Sequence, residues 1–443
     1  MLLLLAAQLL QPGAIIDREI KTGDSHKYEI TLQKGQFLHC LATQYRIDLA
    51  MLLDDPAKKT VTALNRLWQE GTEDLPWVAE TAGSYTVSVD GKLSNGPATY
   101  KLVCHVRTPT ASDTARAQAY ESAWRAGLHW DGKQDAESKR KAITSYEAAL
   151  PLWRQVPDPS WEAWTLSQVA FVYEGLGETG KAVELWYQSA ALRRKTGEKY
   201  PLAITLNNLG TTLNDLGENE KALPLLEEGL ALRIETNDRL GEANARGNLG
   251  LLYFRWNEYD KALDYYNQAL RIRREIKNRS GESTSLITLG NLYLARGELQ
   301  RALDHHIEAL KIREELKSLG GQADAHGAIG LDYLSAGEYA RARQHWERAA
   351  ALYTEAGSKL AVASAQHNLG RISLATGDIG EAEKRFEDAL KTRRAGGAKI
   401  GETMTLSALC ETAAVGKTRE KIPRMQSLAD SNGRRTHFIQ VLL

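Results

Sequence analysis

A forty-residue period runs through most of this 443-residue chain and constrains its fold more than any other feature. One column of the period holds glycine in five consecutive units: Gly210, Gly250, Gly290, Gly330 and Gly370. Another column holds alanine in seven units: Ala142, Ala182, Ala222, Ala262, Ala302, Ala342 and Ala382. Such a period is typical of a solenoid, in which each unit packs on the next because none can bury its apolar face alone. Since solenoids present long concave surfaces, the pattern predicts a protein that binds other proteins.

The charge balance argues against nucleic acid as a partner. Lys and Arg total 56 and Asp and Glu total 56, so the formal net charge is zero. A nucleic-acid binder needs a basic footprint that neutralises phosphates. We therefore expect a protein or peptide ligand, and no nucleic acid. No apolar stretch is long enough to cross a bilayer, so no membrane span is expected.

Cysteine is scarce, with Cys40, Cys104 and Cys410 as the complete set. This number excludes a disulfide scaffold, and no spacing typical of a zinc site occurs, so no metal or cofactor is predicted. Cys40 and Cys104 lie in strand-like segments and would be able to pair in an exported protein. Two buried free thiols are the favoured interpretation.

The first ten residues read MLLLLAAQLL, which resembles the apolar core of a secretory signal but has no positive charge before it. We interpret residues 1–13 as a clipped signal segment, with an ordinary strand as the alternative. Export to the periplasm or the extracellular space is favoured over a cytoplasmic location.

Residues 14–107 alternate apolar and polar side chains, as in Tyr28-Glu29-Ile30-Thr31-Leu32 and Tyr85-Thr86-Val87-Ser88-Val89. Turn residues such as Lys34-Gly35 and Asp90-Gly91 separate these runs. Short strands at this spacing predict an antiparallel β-sandwich.

Four motifs in this segment follow one another in the order Gly35-Gln36, Asp48 to Asp54-Asp55-Pro56, Gly83-Ser84-Tyr85-Thr86-Val87-Ser88-Val89 and Tyr100-Lys101-Leu102. Together they resemble the bacterial pre-peptidase C-terminal domain. The resemblance implies an accessory domain of a secreted protein, and some members bind calcium through loop carboxylates. Asp48, Asp54 and Asp55 are the candidates, although calcium needs six or more oxygens and turn capping is the favoured role.

The following residues show helical periodicity. In the unit that begins at Gly241, small residues (Gly250, Ala262) alternate with large ones (Tyr253, Tyr266) along two amphipathic segments. This small–large–small pattern resembles the tetratricopeptide repeat, and the forty-residue step resembles the longer repeats of kinesin light chains. The implied fold class is multidomain: an N-terminal antiparallel β-sandwich followed by an all-α tetratricopeptide solenoid, a right-handed superhelix of helix pairs.

The predicted helical domains are capping helices with a first degenerate repeat (108–160), six repeats (161–400), a degenerate final repeat (401–432) and a tail (433–443). Pro151, Pro224 and Pro423 fall inside second-helix patterns. Because proline removes a helix hydrogen bond, we expect those helices to kink or to end early.

The tetratricopeptide resemblance implies that the first helix of each pair lines the concave face. Two places before the small-residue column stand Gln168, Asn208, Asn248, Thr288 and Asn368, with Ala328 as the exception. A ladder of amides can hold an extended peptide backbone, since each offers donors and acceptors. Beside this column we add Asn207, Arg246, Arg255 and Asn291 as candidate binding residues. The alternative is that these amides cap neighbouring helices or bond to the next repeat.

Two further groups are interpreted as structural. A ladder of arginines closes the second helices and is predicted to pair between repeats with acids such as Glu242 or Glu282: Arg193, Arg233, Arg273, Arg313 and Arg393. Six tryptophans crowd the junction between sandwich and solenoid: Trp124, Trp130, Trp153, Trp161, Trp164 and Trp186. We expect the tryptophans to cap the array and attach it to the sandwich, with a ligand platform as the alternative.

No motif of a known catalytic class occurs, and His306 and Cys410 occupy repeat columns that explain them as packing residues. The sequence therefore predicts a non-enzymatic scaffold that binds a peptide or protein segment in its groove. The architecture also resembles the N-terminal part of bacterial CHAT-type proteins. That resemblance implies the alternative, a regulatory or sensor arm of a caspase-like peptidase whose catalytic domain is missing from this chain and acts in cis or in trans. Carbohydrate binding by the sandwich at Trp68 or Trp77 is a third hypothesis.

Overall fold

A computed structural model describes residues 8–65, 70–130, 135–156 and 158–415. The chain forms two compact units, Met1–Glu198 (unit 1) and Lys199–Leu443 (unit 2). The predicted tail, Trp68 and Pro423 lie outside the described residues. Within the described residues, every helix is too short or too polar to cross a membrane.

Unit 1 begins with strands that follow the predicted alternation. Along the third of them, Tyr28, Ile30 and Leu32 are buried while the residues between them are exposed. The strands are β1 (Gln8–Leu9), β2 (Ile15–Ile20), β3 (Ser25–Leu32), β4 (Phe37–Asp54), β5 (Thr60–Asn65), β6 (Glu70–Val78) and β7 (Gly83–Arg107).

Two long strands, β4 and β7, run antiparallel along each other and take part in two layers. In one layer β7 pairs with β3, β4 pairs with β5, and β1 adds in parallel to β3. In the other layer β7 pairs with β2 and β4 with β6. Register shifts after Tyr45 and Asp48 separate the halves of β4, and such shifts allow a strand to bend. Because the inward side chains form one apolar core, the predicted antiparallel sandwich is confirmed.

Cys40 and Cys104 form a disulfide, so the favoured prediction of two free thiols is wrong. The register of β4 against β7 places the two residues directly opposite each other, and both are fully buried. They are separated by 64 positions, and local periodicity carries no information about a register over that distance.

The described part of unit 1 also contains four helices: α1 (Ala111–Trp130), α2 (Ala136–Gln155), α3 (Pro159–Gly175) and α4 (Thr179–Thr196). Trp153 and Trp161 stack with ring centroids 5.3 Å apart and belong to the same apolar core as the strands. For these two tryptophans, the prediction of a structural attachment is confirmed.

Between residues 199 and 415, unit 2 consists of helices of 17 residues that begin every 20 residues. They are α5 (Lys199–Asp215), α6 (Asn219–Glu235), α7 (Arg239–Arg255), α8 (Tyr259–Glu275), α9 (Arg279–Ala295), α10 (Leu299–Glu315), α11 (Leu319–Ser335), α12 (Tyr339–Glu355), α13 (Lys359–Ala375), α14 (Ile379–Ala395) and α15 (Lys399–Val415). A residue in the left-handed region lies in many of the connections, such as Gly217 with φ of 77° and Asn257 with φ of 58°. Glycine and asparagine adopt this conformation most readily, so they turn the chain back after each helix.

Helix pairs pack through the small and large columns predicted from the period. A side chain at Gly250 would lie 2.5 Å from the ring of Tyr266, so only glycine allows α7 and α8 this close approach. Two prolines do not shorten their helices as predicted, because α2 continues through Pro151 and α6 through Pro224. Both prolines are exposed, so water can solvate the carbonyl that each one leaves without a donor.

Candidate functional site

The first helices of unit 2 are neighbours on one side of the helix array. α5 contacts α7, α9 contacts α11, and α13 contacts α15, in addition to the contacts within each pair. We use the name first-helix face for the half-buried and exposed residues that these helices present on this side: Asn207, Asn208, Gly247, Asn248, Asn291 and Asn368.

A hydrogen bond joins two of the predicted binding residues across consecutive repeats. The amide Nδ2 of Asn248 on α7 donates to Oδ1 of Asn207 on α5 over 2.8 Å. Each amide uses one of its bonding groups in this contact, which leaves an N–H of Asn207 and the carbonyl oxygen of Asn248 for another partner. The structure therefore builds a donor and an acceptor side by side on the first-helix face.

The other predicted amides lie in different surroundings. Asn208 is half-buried and Asn291 is exposed. Asn368 donates to the backbone carbonyl of Ser364 over 3.0 Å and accepts from Arg371 over 3.2 Å. The column is interrupted between them, since the hydroxyl of Thr288 bonds back to its own helix and Ala328 is buried.

Arg246 and Arg255 are both held by acidic residues of the fold. Arg246 donates to Glu242 over 2.8 Å and also contacts Gln268 of α8. Burial alone would raise the pKa of Glu242, but the guanidinium groups of Arg246 and Arg239 hold it below its usual range. Arg255 pairs with Asp215 of the preceding first helix over 2.6 Å. These pairs offset the two positive charges beside the first-helix face.

Gly247 is a feature of this face that the sequence reasoning missed. A Cβ atom at this position would meet no other atom within 4 Å, so the helix backbone is open here. Glycine in a helix interior is unfavourable, so a glycine one residue before Asn248 was the signal in the sequence that could have revealed this position.

Gln168 belongs to unit 1, where it lies on α3 and lines a cleft with aromatic side chains. The structure thus places seven of the eight predicted binding residues in unit 2 and Gln168 in unit 1.

Arg273, Arg313 and Arg393 of the arginine ladder bond to the next repeat as predicted, and Arg313 does so in part through an acid, Asp324, over 3.0 Å. Arg233 pairs instead with Asp238 of its own repeat. Arg273 donates to the backbone carbonyl of Gly281 over 3.0 Å and to the hydroxyl of Ser285 over 2.7 Å. Glu282 instead accepts from Arg274 and Arg279. Arg273, Arg313 and Arg393 each donate to a backbone carbonyl in the first turn of the next first helix.

Geometry also bears on three minor hypotheses. Asp55 caps the turn after β4, where the amide of Lys59 donates to it over 2.9 Å. Trp77 is 4% exposed within the sandwich core, so the hypothesis of a glycan platform at this residue is wrong. His306 is fully buried and bonded to Asp332 over 2.6 Å, which confirms its interpretation as a packing residue.

A family model described as tetratricopeptide repeat matches residues 201–275 and 321–395, and a second model of the same description matches residues 283–316. These segments are tetratricopeptide repeats. All of them lie in unit 2, so the likeness of the N-terminal strands to the pre-peptidase C-terminal domain stays a prediction.

Solved structures share the tetratricopeptide fold. RapI in its apo form is 20% identical and matches 64% of this chain and 99% of its own, with a TM-score of 0.51. Aspartyl phosphate phosphatase F from Bacillus subtilis is 14% identical over 64% of this chain and 72% of its own, with a TM-score of 0.52. The apo quorum sensor NprR from B. thuringiensis is 13% identical over 72% of this chain and 88% of its own, also with a TM-score of 0.52. At these identities the likeness establishes the fold alone. No curated protein matches the sequence significantly.

Proposed function

We propose that unit 2 is a non-enzymatic module that binds an extended peptide segment of a partner protein along the first-helix face. The hydrogen bond between Asn207 and Asn248 is the observation that supports this proposal most directly. It fixes two amides so that one presents an N–H and the other a carbonyl oxygen.

A peptide backbone offers the complementary groups. Each peptide unit carries one N–H donor and one C=O acceptor, and an extended segment exposes both because no helix satisfies them. Two amides fixed by each other bind such a segment at a smaller loss of side-chain entropy than two free amides would. Since amides recognise the backbone, the site selects an extended conformation more than a particular sequence.

The charge distribution agrees with backbone recognition. The defined residues of the first-helix face are asparagine and glycine, and the nearby Arg246 and Arg255 are paired with Glu242 and Asp215. We therefore expect binding to depend weakly on salt, unlike recognition that relies on unpaired charge.

The open backbone at Gly247 provides the test. Peptides selected from a random display library on the intact protein would be measured by fluorescence anisotropy against wild type and Gly247→Trp. We expect the indole to occupy the face and to weaken binding at least tenfold, without strain in a site that has free space. Gly380→Trp is the matched control, because it adds the same side chain at an open position on the second helix α14.

A second variant tests the amides themselves. Asn207→Ala combined with Asn248→Ala should weaken the same peptides by about 1–3 kcal/mol, the order expected for two lost hydrogen bonds. Peptides that bind Gly247→Trp and the double alanine variant as tightly as wild type would refute the proposal.

We also infer that the protein is exported, because disulfides persist in oxidising compartments and Cys40–Cys104 is buried in the sandwich core. Thiol labelling of the protein from fractionated native cells would test this: an exported protein should carry these two cysteines oxidised, and a reduced cytoplasmic pool would contradict it. The peptidase-arm alternative stays a prediction from the sequence.

A further inference from the structure

Unit 1 contains a cleft between its strands and its helices, which we call the aromatic cleft. Its accessible volume is about 440 Å³, within the range of small-molecule sites, and the cleft is open to solvent on one side. Its aromatic wall comes from α1, α2 and α3: Tyr120, Trp124, Trp130, Tyr146, Trp161 and Trp164. Further apolar lining comes from β4 and β5, through Ala50, Leu52 and Ala63.

Several of these rings are fixed by the fold. Trp161 lies edge-on to Tyr120, with centroids 4.4 Å apart, and to Trp164 at 5.1 Å. Trp124 is half-buried, and it differs from them because it makes no ring–ring contact among the described residues. Trp124 therefore lines the cleft without a ring stacked on it among the described residues, while ring–ring contacts hold Tyr120, Trp161 and Trp164 in place.

Two polar groups in the cleft have no hydrogen-bond partner among the described residues. Gln168 is half-buried and offers an amide with donors and an acceptor. Tyr146 is 3% exposed, and burial raises the pKa of its hydroxyl to about 12, so this group stays a donor at neutral pH.

The charges of the described lining residues restrict the ligand. Lys92 is the one charged side chain among them, and its ammonium group pairs with Asp90 over 3.2 Å. No carboxylate in this lining would balance a cationic ligand. A saccharide is also disfavoured, because its many hydroxyls would find few partners in this lining and each buried hydroxyl without one is costly.

We propose that the aromatic cleft binds a small, uncharged heteroaromatic molecule, stacked on Trp124 and hydrogen-bonded to Gln168 and Tyr146. Planar rings gain about 0.5–1.5 kcal/mol from aromatic contacts beyond the burial of their area. Ring heteroatoms supply the donor or acceptor that the two polar groups of the cleft lack. The aromatic cleft and the first-helix face consist of different residues, so each proposal can be tested and refuted without the other.

Gly127 offers a way to close the cleft without disturbing the fold. It lines the cleft on α1, and a Cβ atom there would meet nothing within 4 Å. Gly127→Leu should fill the space from a position that tolerates a side chain. Gly180→Leu on α4 is the matched control, because that glycine is equally unobstructed and lies outside the cleft lining.

The experiment uses the full chain with indole and benzimidazole as probes, measured by saturation-transfer NMR and calorimetry at pH 8. We expect both probes to bind wild type and Gly180→Leu equally, and to bind Gly127→Leu and Trp124→Ala at least tenfold more weakly. Trp124→Phe should retain most of the affinity because it keeps a stacking face. Thermal unfolding by circular dichroism confirms that each variant is folded.

Four results would overturn the proposal. The first is that neither probe binds wild type, and the second is that Gly127→Leu binds as well as Gly180→Leu does. The third is tighter binding of maltotriose or tetramethylammonium, which would indicate a saccharide or a cation site. The fourth is tighter binding of N-acetyltryptophanamide than of indole, which would assign the cleft to an aromatic side chain of a protein partner.

Discussion

The sandwich of unit 1 and the repeats of unit 2 are stabilised over very different distances along the chain. In the sandwich, β4 pairs with β7, and a disulfide joins residues 64 positions apart. In the repeats, the main contacts of each helix are with the next helix or the one after it. Long-range pairing makes a fold cooperative, whereas nearest-neighbour stacking confines a perturbation to adjacent units. We therefore expect damage to spread through the sandwich and to remain local in the repeats.

Removal of the disulfide should have the largest effect. A cross-link that closes a loop of 64 residues stabilises a fold by about 4 kcal/mol, chiefly by restricting the unfolded chain. Cys40→Ala combined with Cys104→Ala should lower the free energy of unfolding of unit 1 by this order. Eight of the ten tryptophans lie in unit 1, so urea unfolding followed by tryptophan fluorescence reports this loss.

Circular dichroism of the same variant provides the control. Most of the helical signal comes from unit 2, whose contacts the disulfide does not touch. The helical transition should keep its wild-type midpoint. A common shift of both transitions would show that the two units unfold as one and would contradict the comparison.

The difference in range also explains what the sequence could predict. The repeat columns were visible because each packing contact, such as Gly250 against Tyr266, is a local event repeated every forty residues. The strands of the sandwich were also visible from local alternation. Their register was not, and therefore neither was the disulfide, because the partner of Cys40 depends on how two strands far apart in sequence align.

The candidate site was predictable only in part, for a similar reason. The asparagine column predicted a ladder of equivalent amides, but Asn248 bonds to Asn207 rather than to Asn208, its counterpart forty residues earlier. The offset depends on how consecutive first helices lie against each other, which is a property of packing. The open space at Gly247 is likewise a result of packing that a single glycine in the sequence does not reveal.

Acid should act next most strongly, and it should act locally in the repeats. Burial, with smaller effects from Arg393 and Arg371, lowers the pKa of His367 to about 4. Between pH 6.5 and 4 the His367 side chain is protonated in the unfolded chain but stays neutral in the folded chain. The free energy of unfolding therefore falls as the pH decreases. At pH 4.5 this single group should cost about 2–3 kcal/mol relative to pH 7.

His367→Leu tests this linkage by removing the titrating group while keeping an apolar side chain against Phe386. Hydrogen exchange between pH 7 and pH 4.5 should show early opening of α13 and α14 in wild type, beside that of α11, where burial also lowers the pKa of His326 to about 4. The variant should lose only the pH dependence of α13 and α14. Identical pH profiles for both proteins would refute the assignment to His367. Simultaneous opening of all described helices of unit 2 would refute the expected locality.

The smallest expected effect gives the sharpest test, because it compares two glycines three residues apart on α7. At Gly250 a methyl group would lie 2.5 Å from the ring of Tyr266, so Gly250→Ala should destabilise the repeat by about 1–2 kcal/mol through overpacking. At Gly247 the same methyl group would meet nothing within 4 Å, so Gly247→Ala should stabilise the helix by about 0.5–1 kcal/mol. Chemical denaturation measures both values, and hydrogen exchange locates them. Changes in stability of opposite sign that are confined to α7 and its neighbours would show that the stability of each repeat depends on its own contacts. Changes of equal sign, or changes that reach α13, would mean that the repeats share one cooperative core.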